Sequence, residues 1–166
     1  MSIRSKNSYQ KLLYDFMEEV FVVCPYCSGK AIVRSNPESI QKVDENITRV
    51  VCPNCGFSKM LKEVRKSVLM KTSRRIVLGR IMRIGGSGDP YFWLPLWLKA
   101  DCLGLSVWAF NYEHLKVIKE HIQAEHRQRD LTNVRNKSIG SRLPKWMTAA
   151  NNRKAVLKTI ELLEKK

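Results

Sequence analysis

Carboxylates are scarce in this chain: 15 Asp and Glu stand against 30 Lys and Arg in 166 residues. Asp101 falls in an expected turn, and Glu113 and Glu120 lie seven positions apart, so no cluster for metal-assisted hydrolysis is readable and a non-enzyme is expected. No run of 18 apolar residues occurs. The longest candidate, 91–110, is broken by Pro95, Lys99 and Asp101, which reads as buried strands and not as a membrane span. No Gly-Lys-Ser/Thr follows Gly85-Gly86-Ser87-Gly88-Asp89-Pro90, so that run reads as a flexible turn or hinge and not as a phosphate loop. No two of His114, His121 and His126 have the i, i+4 spacing of a zinc-binding helix, and they read as solvated. No signal-peptide pattern opens the sequence, so paired disulfides are disfavoured and a reducing, cytoplasmic setting is expected.

Only five cysteines are present, and four stand in two knuckles, Cys24-Pro-Tyr-Cys27 and Cys52-Pro-Asn-Cys55-Gly56. Each knuckle can give two thiolates to a tetrahedral ion while nearby backbone N–H groups bond the sulfurs, and Gly56 stands where the turn needs positive φ. One structural Zn2+ on Cys24, Cys27, Cys52 and Cys55 is the expectation. The 24 intervening residues exceed the usual spacing, which a longer finger hairpin accounts for. Two unrelated thiol pairs are the bland alternative, and a thioredoxin-like pair normally stands alone at a helix start. Four sulfur ligands close the shell and leave no place for an activated water. Cys102 is left over and reads as a small buried hydrophobe, not a nucleophile.

The net charge of +15 is localised. Residues 56–83 carry nine basic and one acidic side chain, residues 127–166 carry eleven and three, and the other segments lie between −2 and +1. Such blocks attract polyanions by counterion release; the bland alternative is a solubilising surface. Nucleic acid, DNA or RNA, is therefore the expected partner. The expected phosphate contacts are Lys59, Lys62, Arg65, Lys66, Lys71, Arg74 and Arg75 in the first block, with Arg135, Lys137, Arg142, Lys145, Arg153 and Lys154 in the second. The competing expectation is an adaptor whose ribbon and N-terminal helix dock on a protein partner in a larger complex. Neither a membrane nor a small-molecule substrate is expected.

The expected fold class is α+β: an N-terminal helix, a four-cysteine zinc ribbon with a small antiparallel sheet, and basic C-terminal helices. Tyr9, Leu12, Leu13, Phe16, Met17 and Val20 recur at helical spacing, predicting an amphipathic helix within 1–20. The ribbon spans 21–62, with strands at Phe21–Val23, Ala31–Ser35, Thr48–Val51 and Phe57–Lys62 and turns at Asn36–Ser39 and Asp44–Asn46. Such a ribbon has almost no core of its own, so the metal supplies much of its folding free energy and loss of one ligand should unfold it. Residues 63–110 form a basic segment, readable as helix or as strands, and an aromatic-rich hairpin of strands Tyr91–Leu98 and Leu105–Phe110. Trp93, Trp97, Trp108, Phe92 and Phe110 read as the main core; a base-stacking platform would need cations beside exposed rings, and Lys99 is the only cation between Tyr91 and Asn111. Residues 111–166 are helical, with Asn111 capping a helix that carries Leu115, Ile118 and Ile122 on one face. A stripe of Ile139, Leu143, Trp146, Met147 and Ala150 surrounds Pro144, and Asn151 or Asn152 caps a last helix with Val156, Leu157, Ile160 and Leu163. A basic helical hairpin describes this end better than a helix-turn-helix.

The two knuckles, Leu96-Trp97-Leu98, Leu105-Ser-Val-Trp108-Ala-Phe-Asn111 and Asn136-Lys-Ser-Ile-Gly-Ser-Arg-Leu-Pro-Lys-Trp146-Met together resemble a family of small bacterial proteins described by a zinc ribbon of the transcription factor IIB type. The resemblance runs from Cys24 over most of the chain. It implies zinc on the four cysteines and a bacterial cytoplasmic setting; the label implies ribbon shape, not that factor's activity. The longer spacer departs from the general ribbon pattern.

Overall fold

Val20, Val22, Ala31, Val33 and Val50 recur at every second position of three short stretches, the spacing that turns one face of a strand into a core. All five are fully buried. The computed structural model describes residues 8–36, 43–124 and 137–166. These form a mixed α and β structure of small antiparallel sheets and four helices.

The first sheet has the order β1-β2-β3-β4, from Glu19–Val23, Lys30–Arg34, Arg49–Val51 and Ser58–Met60. Its register sets Val20 opposite Val33, Val22 opposite Ala31 and Val33 opposite Val50, so the buried face is continuous across three strands. All four expected ribbon strands are present with ends shifted by at most two residues; the last stops at Met60, where Leu61–Glu63 tightens into a 3₁₀ turn. The Asp44–Asn46 turn is present, with the Asp44 carboxylate accepting from Asn46 N–H at 2.8 Å. Of the Asn36–Ser39 turn, only Asn36 lies within the described residues.

The helix predicted within 1–20 is a correction. Over the described part, Leu13–Phe16 makes one 3₁₀ turn, closed by Leu12 N–H on the Asp15 carboxylate at 2.9 Å, and Glu19–Val23 is already β1. Phe16, Met17 and Val20 are buried as their apolarity requires. Strand pairing of Val20 and Val22 against β2 outweighs the local helical period, because it buries both residues and satisfies their backbone groups together.

Residues 67–79 settle as β-structure: β5 (Ser67–Lys71) pairs antiparallel with β6 (Ile76–Gly79) as a separate two-stranded ribbon. A third pair, β7 (Leu98–Cys102) and β8 (Leu105–Ala109), forms the aromatic hairpin. Its first strand was expected at Tyr91–Leu98, and the difference traces to Asp89. That side chain is buried, and its carboxylate accepts from the N–H groups of Tyr91 at 2.9 Å, Phe92 at 2.8 Å and Leu94 at 2.6 Å. The chain is wound around the carboxylate instead of extended, and Trp93 takes a left-handed φ of 61°. Burial pushes the Asp89 carboxyl above its ordinary range, and the three N–H donors oppose that shift. The run expected as a flexible hinge therefore ends in a buried polar anchor. Of the aromatic residues nominated as core, Phe110 is fully buried while Trp93 remains 48% exposed under the Arg83 guanidinium, 4.6 Å from its centroid.

Helix α1 (Tyr112–Gln123) starts at Asn111, as its sequence requires: Oδ1 accepts from His114 N–H at 2.9 Å. The Asn111 amide also donates to the carbonyls of Phe16 and Glu19, at 3.2 and 2.8 Å. Pro144 divides the next stripe into α2 (Ile139–Arg142) and α3 (Lys145–Thr148), and α4 (Arg153–Glu164) follows. Asn152 occupies the cap position of α4, but its side chain donates to Trp146 C=O at 2.9 Å and does not cap the helix. Helix α4 packs on α1 and β7, and a single buried cluster runs from Phe16 through the ribbon and hairpin to Leu163.

His114 and His121 are a second correction, since both are buried and not solvated; His126 lies outside the described residues. His114 stacks on Phe16 at 4.9 Å, and its Nδ1 accepts from Phe110 N–H at 3.2 Å, which leaves its proton on Nε2. Burial pulls its pKa down to about 3. His121 Nδ1 lies 2.8 Å from Ser8 Oγ. Seven-residue spacing put both rings on the inward face of α1.

Asp89→Ala should destabilise the protein by about 2–4 kcal/mol in urea unfolding, since three backbone donors lose a charged acceptor. His114 stays neutral when folded and takes a proton on unfolding below about pH 6.5. Its contribution to stability is therefore complete above that pH and declines as pH falls toward about 3. Titration of His114 by NMR near the ordinary histidine value would contradict this.

Candidate metal centre

The knuckles are two copies of one turn. Cys24 N–H bonds Gly29 C=O at 2.8 Å and Ser28 N–H bonds Cys24 C=O at 3.0 Å; in the second copy Cys52 N–H bonds Phe57 C=O at 2.8 Å and Gly56 N–H bonds Cys52 C=O at 3.0 Å. Both turns need a left-handed residue, filled by Gly56 at φ 75° and by Ser28 at φ 57°. A side chain at Gly56 would meet nothing within 4 Å, so glycine is needed there for its backbone alone.

Pairing of β1 with β2 and β3 with β4 brings the two turns to the same end of the sheet. There the four Sγ atoms lie within 4.8 Å of one another. Across the knuckles, Cys24 and Cys55 are 3.6 Å apart and Cys27 and Cys52 are 3.5 Å apart. Metal–sulfur bonds of about 2.3 Å at tetrahedral angles place sulfurs about 3.8 Å apart, so the four cysteines fit one ion. Asn54 donates from Nδ2 to Cys27 Sγ at 3.4 Å; this bond, joined by Gly29 N–H, pulls Cys27 down to about 6. At Cys55 the Phe57 N–H favours the thiolate, but loss of hydration and the three neighbouring sulfurs outweigh it and push the thiol up to about 12. Four thiolates so close together repel, and a bound dication removes that obstacle.

One expectation about this ribbon is overturned. Val20, Val22, Ala31, Val33, Val50 and Leu61 give it a buried face continuous with the rest of the molecule, so it does not lack a core. Cys102 is buried in the same cluster, as expected.

The remaining sequence-selected residues spread over the surface. Lys59 is exposed on β4 opposite Val50, and Lys62 on the 3₁₀ turn that follows. Arg65 and Lys66 are exposed before β5, Lys71 ends that strand, and Arg74 and Arg75 form the turn into β6. Lys66 has an acidic neighbour, Glu45 at 3.5 Å. In the second block Lys137, Arg142, Lys145 and Lys154 are exposed, while Arg153 is half-buried and its Nε has no hydrogen-bond partner among the described residues. Arg135 lies outside the described residues. Arg142 borders an apolar cavity of about 280 Å³ formed with Trp108, His114, Ile118, Leu143 and Met147.

The sequence gives no local sign of a cleft of about 890 Å³ lined by Asp15, Glu18, Glu19 and Glu113 together with Arg34 and Arg49. Most of these carboxylates have partners: Glu19 pairs with Arg34 at 3.3 Å, Glu113 with Lys11 at 3.8 Å, and Asp15 holds Leu12 N–H. No protein-family model, curated protein or solved structure matches this chain. No helix among the described residues is long and apolar enough to cross a membrane.

Because the sheet shares the main core, removing the ion should loosen one end and spare the other. Under chelation, hydrogen exchange is expected to rise by orders of magnitude over 24–29 and 52–57 while α1 and α4 keep their protection. Cobalt loaded in place of the native ion should give the absorption of a tetrahedral tetrathiolate, lost in Cys27→Ser. Uniform loss of protection would mean that the metal holds the whole core.

Proposed function

We propose that this chain is a zinc-stabilised, non-catalytic nucleic-acid-binding protein that contacts phosphates through Lys and Arg. The observation that carries the reading is the 64–88 segment, which has seven cations and no carboxylate. Arg65, Lys66, Lys71, Arg74 and Arg75 of that segment are exposed, with Lys59 and Lys62 just before it. Lys66 and Arg80 meet Glu45, and the cations left over in this region cost self-repulsion that a polyanion relieves. Four thiolates suit zinc and close its shell, so the ion acts as a clamp and supplies no reactive water. The resemblance to small bacterial zinc-ribbon proteins agrees with a structural ion.

A zinc-ribbon adaptor in a larger complex is the second reading. The exposed aliphatic side chains of β5 and β6 favour it. Recovery of the untagged protein from its host without nucleic acid, in fixed stoichiometry with one polypeptide, would select the adaptor.

A salt titration decides the first reading. With about six phosphate contacts, log K should fall linearly with log salt with a slope near −5 on duplex DNA. Absent or salt-insensitive binding to both duplex and single-stranded nucleic acid sinks it.

A further inference from the structure

The β5–β6 hairpin is built unlike the rest of the molecule. Val68, Ile76 and Leu78 are 57%, 58% and 57% exposed. The register Val68↔Leu78 and Lys71↔Ile76 puts these three on one face together with Lys71. Among the described residues, neither strand packs extensively on any element but the other. Burying one such aliphatic side chain is worth about 1.5–3 kcal/mol, so a face of three left open is a surface waiting for cover.

Cations bracket that face. Arg65 and Lys66 stand at its base, and Arg74 and Arg75 stand at the tip, where Arg75 N–H bonds Thr72 Oγ1 at 3.0 Å. The arm is also held firmly. Arg80, just past β6, meets Glu45 of the ribbon with two contacts, Nε at 3.1 Å and Nη2 at 3.2 Å, and its Nη1 donates to Val64 C=O at the root of β5. The hydrogen bonds from Arg80 hold the Glu45 carboxyl below its ordinary range, so the clamp is charged at neutral pH. A bulge between Val68 and Met70 adds right-handed twist, and Leu69 lies over Gly79, where a Cβ would come within 2.3 Å of its Cδ1.

We propose that this arm enters the major groove of duplex DNA, with Val68, Ile76 and Leu78 against thymine methyl groups and Lys71, Arg74 and Arg75 on the flanking phosphates. The inference rests on the nucleic-acid-binding reading above and narrows the partner to duplex DNA. Two strands about 4.8 Å apart, with side chains, make a ribbon about 10 Å across. The major groove of B-DNA is about 12 Å wide and the minor groove about 6 Å, so only the former admits it undistorted. The major groove of duplex RNA is too deep and narrow for side chains to read. Thymine presents an apolar group in the DNA major groove, which matches an aliphatic face framed by cations.

Two other occupants fit less well. A bilayer would have to accept Arg74 and Arg75 first, because the cations and not the aliphatic residues form the tip. A second copy meeting face to face would bring two sets of unneutralised Lys and Arg together.

The test uses the full-length, metal-loaded protein and a thymine-containing duplex. The variant Lys71→Gln/Arg74→Gln/Arg75→Gln should flatten the salt slope by about 2–3, at about 0.9 per lost phosphate contact. The variant Val68→Thr/Ile76→Thr/Leu78→Thr keeps β-branched or strand-compatible side chains, and should weaken binding about tenfold with the slope unchanged. Replacing thymine by uracil in the duplex should weaken the wild type several-fold and leave the threonine variant unaffected. Unchanged circular dichroism and cobalt spectra establish that both variants fold. If both bind duplex as the wild type does, the arm is not the contact, and salt-dependent binding through other cations would keep the broader reading intact. Equal affinity for duplex RNA or single strands also overturns groove entry. So would threonine-sensitive binding to phosphatidylserine vesicles, or a threonine-sensitive dimer in sedimentation, without an effect on DNA. No binding by the wild type to any nucleic acid removes both this inference and the reading beneath it.

Discussion

The backbone of Phe21 is used from the side that β2 leaves free, and the architecture depends on it. Its N–H donates to Phe110 C=O at 2.7 Å and its C=O accepts from Trp97 N–H at 2.9 Å, while Val23 N–H reaches Pro95 C=O at 2.8 Å. Val20 and Val22 bond in the opposite direction, into the ribbon. The strand at the open edge of the four-stranded sheet is thereby covered. Asn111 reinforces the seam by joining the carbonyls of Phe16 and Glu19 to the first turn of α1. Ribbon, aromatic hairpin and helices therefore share one core, and each is stabilised by contacts the others supply.

That seam bears on what an ion held by the four cysteines would contribute. In an isolated finger, binding and folding are one event, because no apolar surface is available to hold the turns. Here the valines of β1 to β3 are buried in a core shared with the hairpin and helices, an apolar surface that an isolated finger lacks. Cys27 and Cys55 are pulled in opposite directions within one cluster, because Asn54 and Gly29 donate to the first sulfur while loss of hydration and the three neighbouring sulfurs disfavour charge on the second.

The four-cysteine cluster was legible in the sequence because a doubled Cys-x-x-Cys is a local pattern with few structural solutions. The ribbon strands were legible for the same reason: turn residues and alternating valines encode them within a few positions. What could not be read locally was set by distant partners. The 9–20 stretch has a helical period, yet Val20 and Val22 are strand residues because Val33 and Ala31 lie opposite them. His114 and His121 look like ordinary surface histidines until Phe16 and Ser8 are brought onto α1 from about a hundred residues away. Asp89 carries a weak local signal, since Asp-Pro after a glycine run is a turn that supplies its own acceptor. The basic blocks were visible as composition; that one of them is a two-stranded arm was not, because its residues suit helix and strand alike.

The arm and the charge excess are connected by a physical requirement. An exposed aliphatic ribbon with free edges is an aggregation hazard, and charged side chains are the usual defence. Residues 64–88 contain seven cations and no carboxylate, so two arms approaching one another meet repulsion at base and tip before their aliphatic faces can touch. Mixed charges would have solubilised the arm as well, by hydration, but with a weaker field of either sign. Charge of a single sign excludes the arm's own kind and attracts the opposite. In the proposed complex with DNA, the side chains that keep the aliphatic face free are therefore the ones that would select what covers it.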